Sequence, residues 1–117
     1  MNEILEKTLL YDFYGELLTA HQKNIYEQYI LEDISLSEIA INQGVSRQSV
    51  HDLVRRCEKI LEGYENKLHL VDKFLSIRNH VNEMEDLFAR YDVDDGLTVD
   101  ELIANVRGLS NQILEQL

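Results

Sequence analysis

Between residues 46 and 62 the chain interleaves two kinds of side chain. Val50, Leu53, Val54, Cys57, Ile60 and Leu61 recur at the 3.6-residue period of a helix with one apolar face. On a wheel at about 100° per residue, Gln48, Asp52, Arg55 and Lys59 centre the opposite face, with His51 and Glu62 beside it. Arg47 lies at the N-terminal edge and Arg56 flanks the face. This is chemistry suited to a DNA major groove. Arg can span guanine O6 and N7 with two bonds, Gln can do the same for adenine, and Ser46 with its backbone amide can hold a phosphate. A solvated helix face would use the same residue types, so the wheel alone decides nothing. Asp52 argues the other way: a carboxylate facing a phosphate-lined groove is unfavourable unless it accepts from a cytosine amine or orients Arg55 or Arg56.

The element that must position these groups begins upstream, and residues 35–61 together read as a helix-turn-helix. Ser35 is a good N-cap, and Glu38 three residues later can return the bond as a capping box. A short helix then carries Leu36, Ile39 and Ala40 on one side. Gly44 supplies the left-handed backbone for a tight exit, Val45 can plug the angle between the helices, and Ser46 caps the second helix. Small Ala40, five residues before Val45, lets the two helices cross closely.

Elsewhere the same periodicity continues. Ile4, Leu5, Leu9, Phe13, Leu17 and Leu18 predict a helix over 3–18 with that stripe buried. Thr19 and Gln22 form a second capping box, opening a helix to about Leu31 that buries Ile25, Tyr29 and Ile30. The second helix of the motif reaches Gly63 without a strong stop, and its pattern resumes through Leu68, Val71, Phe74 and Leu75, making Gly63 a tolerated weak point. Val81, Met84, Leu87, Phe88 and Tyr91 mark another helix, ending in the turn-like Asp92-Val93-Asp94-Asp95-Gly96. Thr98 and Glu101 make a third capping box before the stripe Leu102, Val106, Leu109, Ile113 and Leu114. No repeat, low-complexity tract or period-2 strand interrupts an all-α reading.

Composition agrees with helices and complicates the motif. The 117 residues are 44% hydrophobic, with no proline and five glycines, enough for one domain with a helical extension. The net charge of −11 repels nucleic acid at long range, but it is unevenly spread. Residues 1–45 hold eight acids and two bases, residues 46–78 five acids and seven bases, and residues 79–117 nine acids and two bases. A basic island therefore begins where the recognition helix would begin.

Other chemistries find little footing. An EF-hand loop needs oxygen ligands at positions 1, 3 and 5, glycine at 6 and glutamate at 12, and no register of 92–103 or 91–102 supplies them. His21, His51, His69 and His80 show no i, i+4 pair, and no cysteine set lies nearby for zinc. The lone Cys57 sits on the apolar stripe, as a packed thiol would. Nothing resembles a phosphate loop, a nucleophile elbow or a paired carboxylate site, so neither an enzyme, nor a cofactor, nor a small-molecule substrate is expected. No stretch reaches the length of a bilayer span or reads as a leader, which predicts a cytoplasmic protein without a membrane contact.

The stretch Ser-Leu-Ser-Glu-Ile-Ala-Ile-Asn-Gln-Gly-Val-Ser-Arg-Gln-Ser-Val-His-Asp-Leu-Val-Arg-Arg-Cys-Glu-Lys-Ile-Leu over 35–61 is similar to the helix-turn-helix of sigma factor region 4. More closely, the chain resembles the YlxM family of small bacterial proteins. The opening Leu9-Leu10-Tyr11-Asp12-Phe13-Tyr14-Gly15-Glu16-Leu17-Leu18-Thr19 and the later Tyr64-Glu65-Asn66-Lys67-Leu68 join in that resemblance, which is specific to about Leu70. It implies an all-helical fold, DNA binding, and a gene beside those of the signal recognition particle pathway. Contacts in sigma-like motifs fall at the start of the second helix, which carries over to Arg47, Gln48, Ser49, His51 and Asp52. Ser49, His51 and Asp52 make this helix less basic than a promoter-reading one.

The expectation is thus an all-α protein whose winged-helix-free, sigma region 4-like core spans residues 1–70. Residues 71–117 form an acidic helical extension suited to homodimerisation. The nucleic-acid contacts would come from Ser46, Arg47, Gln48, Ser49, His51, Asp52, Arg55, Arg56 and Lys59. The expected function is DNA-binding regulation acting on or within the signal recognition particle pathway. The alternatives are a module that binds the targeting particle's RNA or a targeting GTPase, and a sigma-like protein that binds RNA polymerase.

Overall fold

The computed structural model describes residues 3–92 and 96–117, and among these it is all-α, with six helices and no strand. The chain divides into two compact units, Met1–Val71 and Asp72–Leu117.

The first unit is built around one long helix. Helices α1 (Glu3–Tyr14), α2 (Ala20–Ile30) and α3 (Leu36–Gln43) all pack on α4 (Arg47–Leu68). From α4 the side chains of Val50, Val54, Cys57 and Leu61 are buried, a 4-3-4 spacing that keeps one stripe turned inward. Tyr14, Tyr26 and Ile39 are almost fully buried with them. Each such aliphatic side chain contributes about 1.5–3 kcal/mol by leaving water.

The buried face of α1 differs from the expected stripe. Leu9, Leu10, Tyr11 and Tyr14 are buried, whereas Ile4 is 70% and Leu17 55% exposed. Tyrosine chemistry is the reason. Tyr11 donates its hydroxyl proton to Glu27 of α2, Tyr14 donates to Glu65 of α4 at 2.6 Å, and Lys7 pairs with Glu58 at 3.6 Å. These bonds turn α1 so that the two tyrosines face inward. The helix stops at Gly15 in a short 3-10 turn, where a Cβ would stand 2.7 Å from the Tyr11 ring. In α2 the fully buried pair is Ile25 and Tyr26, with Tyr29 and Ile30 only half-buried.

Capping is local and mostly as read. Thr19 accepts from Gln22 N at 3.2 Å while Gln22 Oε1 accepts from Thr19 N at 3.0 Å, a complete capping box. Ser35 accepts from Glu38 N at 3.1 Å and Thr98 from Glu101 N at 3.1 Å, but neither glutamate returns a bond among the described residues. Asp33, at φ +54, turns the chain between α2 and α3 so that Ile34 N donates to Gln28 O.

Helix α4 runs through Gly63 and ends six residues later, at His69 in the left-handed region (φ +56), whose N–H donates to Glu65 O at 2.8 Å. Helix α5 (Leu70–Asp92) starts at once. Its first two amides, which belong to unit 1, are satisfied within that unit: Leu70 N donates to Tyr14 Oη at 3.1 Å and Val71 N to Glu65 Oε1 at 2.9 Å. One carboxylate thus caps a helix that has no Ser or Thr to cap it, and an anion at this end also suits the helix dipole.

In the second unit α5 and α6 (Val99–Gln116) run antiparallel, with Gln116 Nε2 donating to Ser76 Oγ. Leu109 is buried, and Met84, Leu87, Leu102, Val106 and Ile113 are half-buried. Of the acidic turn read at Asp92–Gly96, residues 93–95 lie outside the described residues.

Candidate nucleic-acid interface

Helix α3 leaves through Gly44 at φ +69, where Val45 N donates to Ala40 O at 3.0 Å and Gly44 N to Ile41 O at 3.3 Å. This paired closure needs a left-handed residue, which glycine adopts without strain. Only Gly44, Val45 and Ser46 separate the two helices, the short turn of a helix-turn-helix. Val45 does not fill the angle as expected. It is 49% exposed and lies at the rim of a hollow lined also by Ile25, Val50 and Leu53. Buried Ala40 and Ile39 close the contact instead.

Ser46 then opens α4. Its Oγ accepts from Ser49 N at 3.1 Å, and Ser49 Oγ donates back to Ser46 O at 2.9 Å. Both serines are therefore partly committed to the helix start. The next amides, of Arg47 and Gln48, have no helical acceptor, as at any helix N-terminus.

The side chains read from the sequence emerge along one exposed face. Ser46, Arg47, Gln48, Ser49, Asp52, Arg55, Arg56 and Lys59 are exposed, and His51 is half-buried with Nδ1 lacking a hydrogen-bond partner. Asp52, Arg55, Arg56 and Lys59 line a shallow hollow of about 270 Å³. Among the described residues Arg47, Arg55, Arg56 and Lys59 enter no ion pair, whereas Lys7 and Lys23 of the same unit are each held by carboxylates. The cations of this face thus keep their charge available to an outside anion.

Asp52 is the exception to the expected arrangement. It orients neither Arg55 nor Arg56. Its Oδ1 accepts from Gln48 Nε2 at 2.9 Å, and His51 Nδ1 lies 3.6 Å from the same oxygen. The signal was present in the sequence, since Gln and Asp four apart on a helix are bonding neighbours.

Cys57, one turn beyond on the inner face, is fully buried, and burial pushes its thiol up to about 11 against a smaller opposing pull from Arg56. It stays protonated and inert near neutrality. No group of three or more His, Cys, Asp or Glu side chains is placed to hold a metal among the described residues. Nor, among them, is any helix long and apolar enough to cross a membrane.

The sequence that builds this site has relatives. A family model described as "Putative helix-turn-helix protein, YlxM / p13 like" matches residues 1–100. The chain is 40% identical over 116 residues to a UPF0122 protein of Desulforamulus reducens, covering 99% of this chain and 97% of that one. It is 43% identical over 97 residues to UPF0122 protein YofM of Lactococcus lactis subsp. lactis, covering 80% and 85%. A UPF0122 protein of Streptococcus gordonii is 41% identical over 112 residues, covering 92% and 97%. With a tight glycine turn, a capped second helix and this extent of matching, the chain belongs to the UPF0122 family of YlxM / p13-like helix-turn-helix proteins.

Proposed function

We propose that the protein is a DNA-binding regulator that lays the N-terminal half of α4 in a major groove. The observation that carries this reading is the row of unpaired cations, Arg47, Arg55, Arg56 and Lys59, on the exposed side of a helix whose other side is core. In a chain of net charge −11 such a row left without carboxylate partners calls for an external anion. Arg47, Gln48 and His51 face base edges in this reading. Ser46, Arg55, Arg56 and Lys59 hold phosphates, and Ser49 and Asp52 complete the face. A groove-reading helix is commonly used in pairs, and we assign pairing to the extension 71–117, giving a homodimer. The resemblance to the YlxM family adds a place on or within the signal recognition particle pathway.

The charge supports a second reading. Nine acids against two bases over 79–117 favour a module in which α4 meets the targeting particle's RNA and the acidic helices meet a basic protein. Titration of the purified protein against fragmented genomic DNA and that RNA, across a salt series, separates the two. Tight binding to a subset of DNA fragments, lost in the double variant Arg47→Ala, Arg55→Ala, supports the regulator. Binding confined to RNA moves the protein to the targeting machinery, and unchanged DNA binding in the double variant removes the assignment of α4.

A further inference from the structure

The Gln48–Asp52 bond leads one step further and rests on the DNA-binding reading above. We infer that Asp52 is a positioning residue that holds the Gln48 amide ready to read adenine. An ionised carboxylate only accepts hydrogen bonds, so the contact of 2.9 Å between Asp52 Oδ1 and Gln48 Nε2 must be donated by the amide nitrogen. The bond therefore fixes which way the amide faces: nitrogen toward Asp52, Oε1 away.

A primary amide has two N–H groups. One is given to Asp52, which leaves one N–H and Oε1. In the major groove adenine offers an N7 acceptor beside an N6 donor, and a glutamine amide satisfies both through its carbonyl and the N–H beside it. The N–H on the stem side is the one left over in that pairing, and Asp52, one turn along the same helix, is placed to take it. A free glutamine must choose among rotamers and between two amide orientations when it binds. Held by Asp52, it meets the base edge already oriented, and the ordering cost falls within the folded protein. Guanine is disfavoured at this position, because its N7 and O6 are both acceptors and the carboxylate and Oε1 repel them. A carboxylate that looked adverse to a phosphate-lined groove acquires a use: it costs general affinity and gains discrimination.

The test combines the free protein with a binding-site selection from random duplexes, using the full chain, Gln48→Ala, Asp52→Ala and Asp52→Asn. In the free protein the side-chain amide resonances of Gln48 are expected to shift in Asp52→Ala. Unmoved resonances would mean that the bond does not form in solution, whatever the DNA result. In the selection, the unaltered chain is expected to prefer A·T over other pairs at one position by about 5- to 150-fold, the range of one good two-bond contact. Gln48→Ala loses that preference. Asp52→Ala loses most of it while binding unrelated duplexes more tightly, since an anion has left the face. Asp52→Asn, whose carbonyl accepts the same bond, retains most of it. A merely structural Asp52 would weaken binding to every sequence alike. Selection of G·C at that position, or full retention of the preference in Asp52→Ala, overturns the inference while leaving the DNA reading intact. Failure of the unaltered chain to bind any duplex overturns that reading and this inference with it, and the unaltered chain alone reveals it.

Discussion

Single side chains decide two properties that the helical pattern hides. Tyr14 Oη donates to Glu65 and accepts from Leu70 N, so one buried hydroxyl joins α1, α4 and the first turn of α5. Removing it in Tyr14→Phe leaves the Leu70 amide without an acceptor. A loss of about 1 kcal/mol follows from removing two hydrogen bonds in a partly buried setting, read as a lower urea midpoint with unchanged slope. Glu65→Gln should lose less, because its carbonyl still accepts from Tyr14 and Val71. An equal midpoint for Tyr14→Phe and the unaltered chain would deny the hydroxyl this role. Cys57 gives a second test. Because burial raises its thiol to about 11 from 9.0, the native state keeps a proton that the unfolded state releases between those values. The stability it contributes is whole below about pH 9 and declines as pH rises toward 11. Labelling by a thiol reagent at pH 8 should accordingly be slow in the folded chain and fast in urea; rapid native labelling would show that the helix face is open.

At the scale of elements, glycine position separates gain from loss. Gly63 lies inside α4, exposed, with nothing within 4 Å of where a Cβ would stand. Gly63→Ala should stabilise the chain by about 0.5–1 kcal/mol through lower backbone entropy in the unfolded state. Gly44→Ala also meets open space, yet its φ of +69 makes it destabilising by about 1–2 kcal/mol. Thermal melts of the two variants should move in opposite directions. The contrast shows what could be read in advance. The turn at Gly44 and the caps at Thr19, Ser35 and Ser46 were legible because capping chemistry lies within three residues of each helix end. The break at His69 was not. The apolar period runs on past it, and the residues that satisfy α5, Tyr14 and Glu65, stand 56 and 6 positions from their partners. The inward face of α1 was hidden for the same reason, since it depends on tyrosines whose partners lie on other helices. On α4 the exposed face was legible from the wheel, whereas the partner of Asp52 was not, because its charge points to Arg55 and Arg56 while the i, i+4 geometry gives it to Gln48.

For the molecule as a whole, the decisive quantity is how charge is distributed over distance. A chain with twice as many acids as bases, 22 against 11, repels an approaching polyanion through its summed charge, and salt screens that repulsion beyond a Debye length, roughly 10 Å at 0.1 M. In the proposed reading, close contact is governed by Arg47, Arg55, Arg56 and Lys59 on the exposed face of α4. Salt therefore acts in two directions: it screens the long-range repulsion, which speeds encounter, and it opposes release of counterions from phosphates, which weakens the bound state. The equilibrium reflects the second effect. If Arg55, Arg56 and Lys59 each neutralise one phosphate, the slope of log K against log salt is about −2.7 for one copy and about twice that for a dimer on two half-sites. Lys59→Ala should make the slope shallower by about 0.9 per copy without altering which sequences are preferred. A slope unchanged by Lys59→Ala would place that lysine off the backbone. The size of the initial slope, compared with the mass of the complex in sedimentation, tells whether one α4 or two engage the duplex. An association rate that rises between 10 and 50 mM salt while affinity falls is the combined signature of a cationic reading helix carried by an anionic protein.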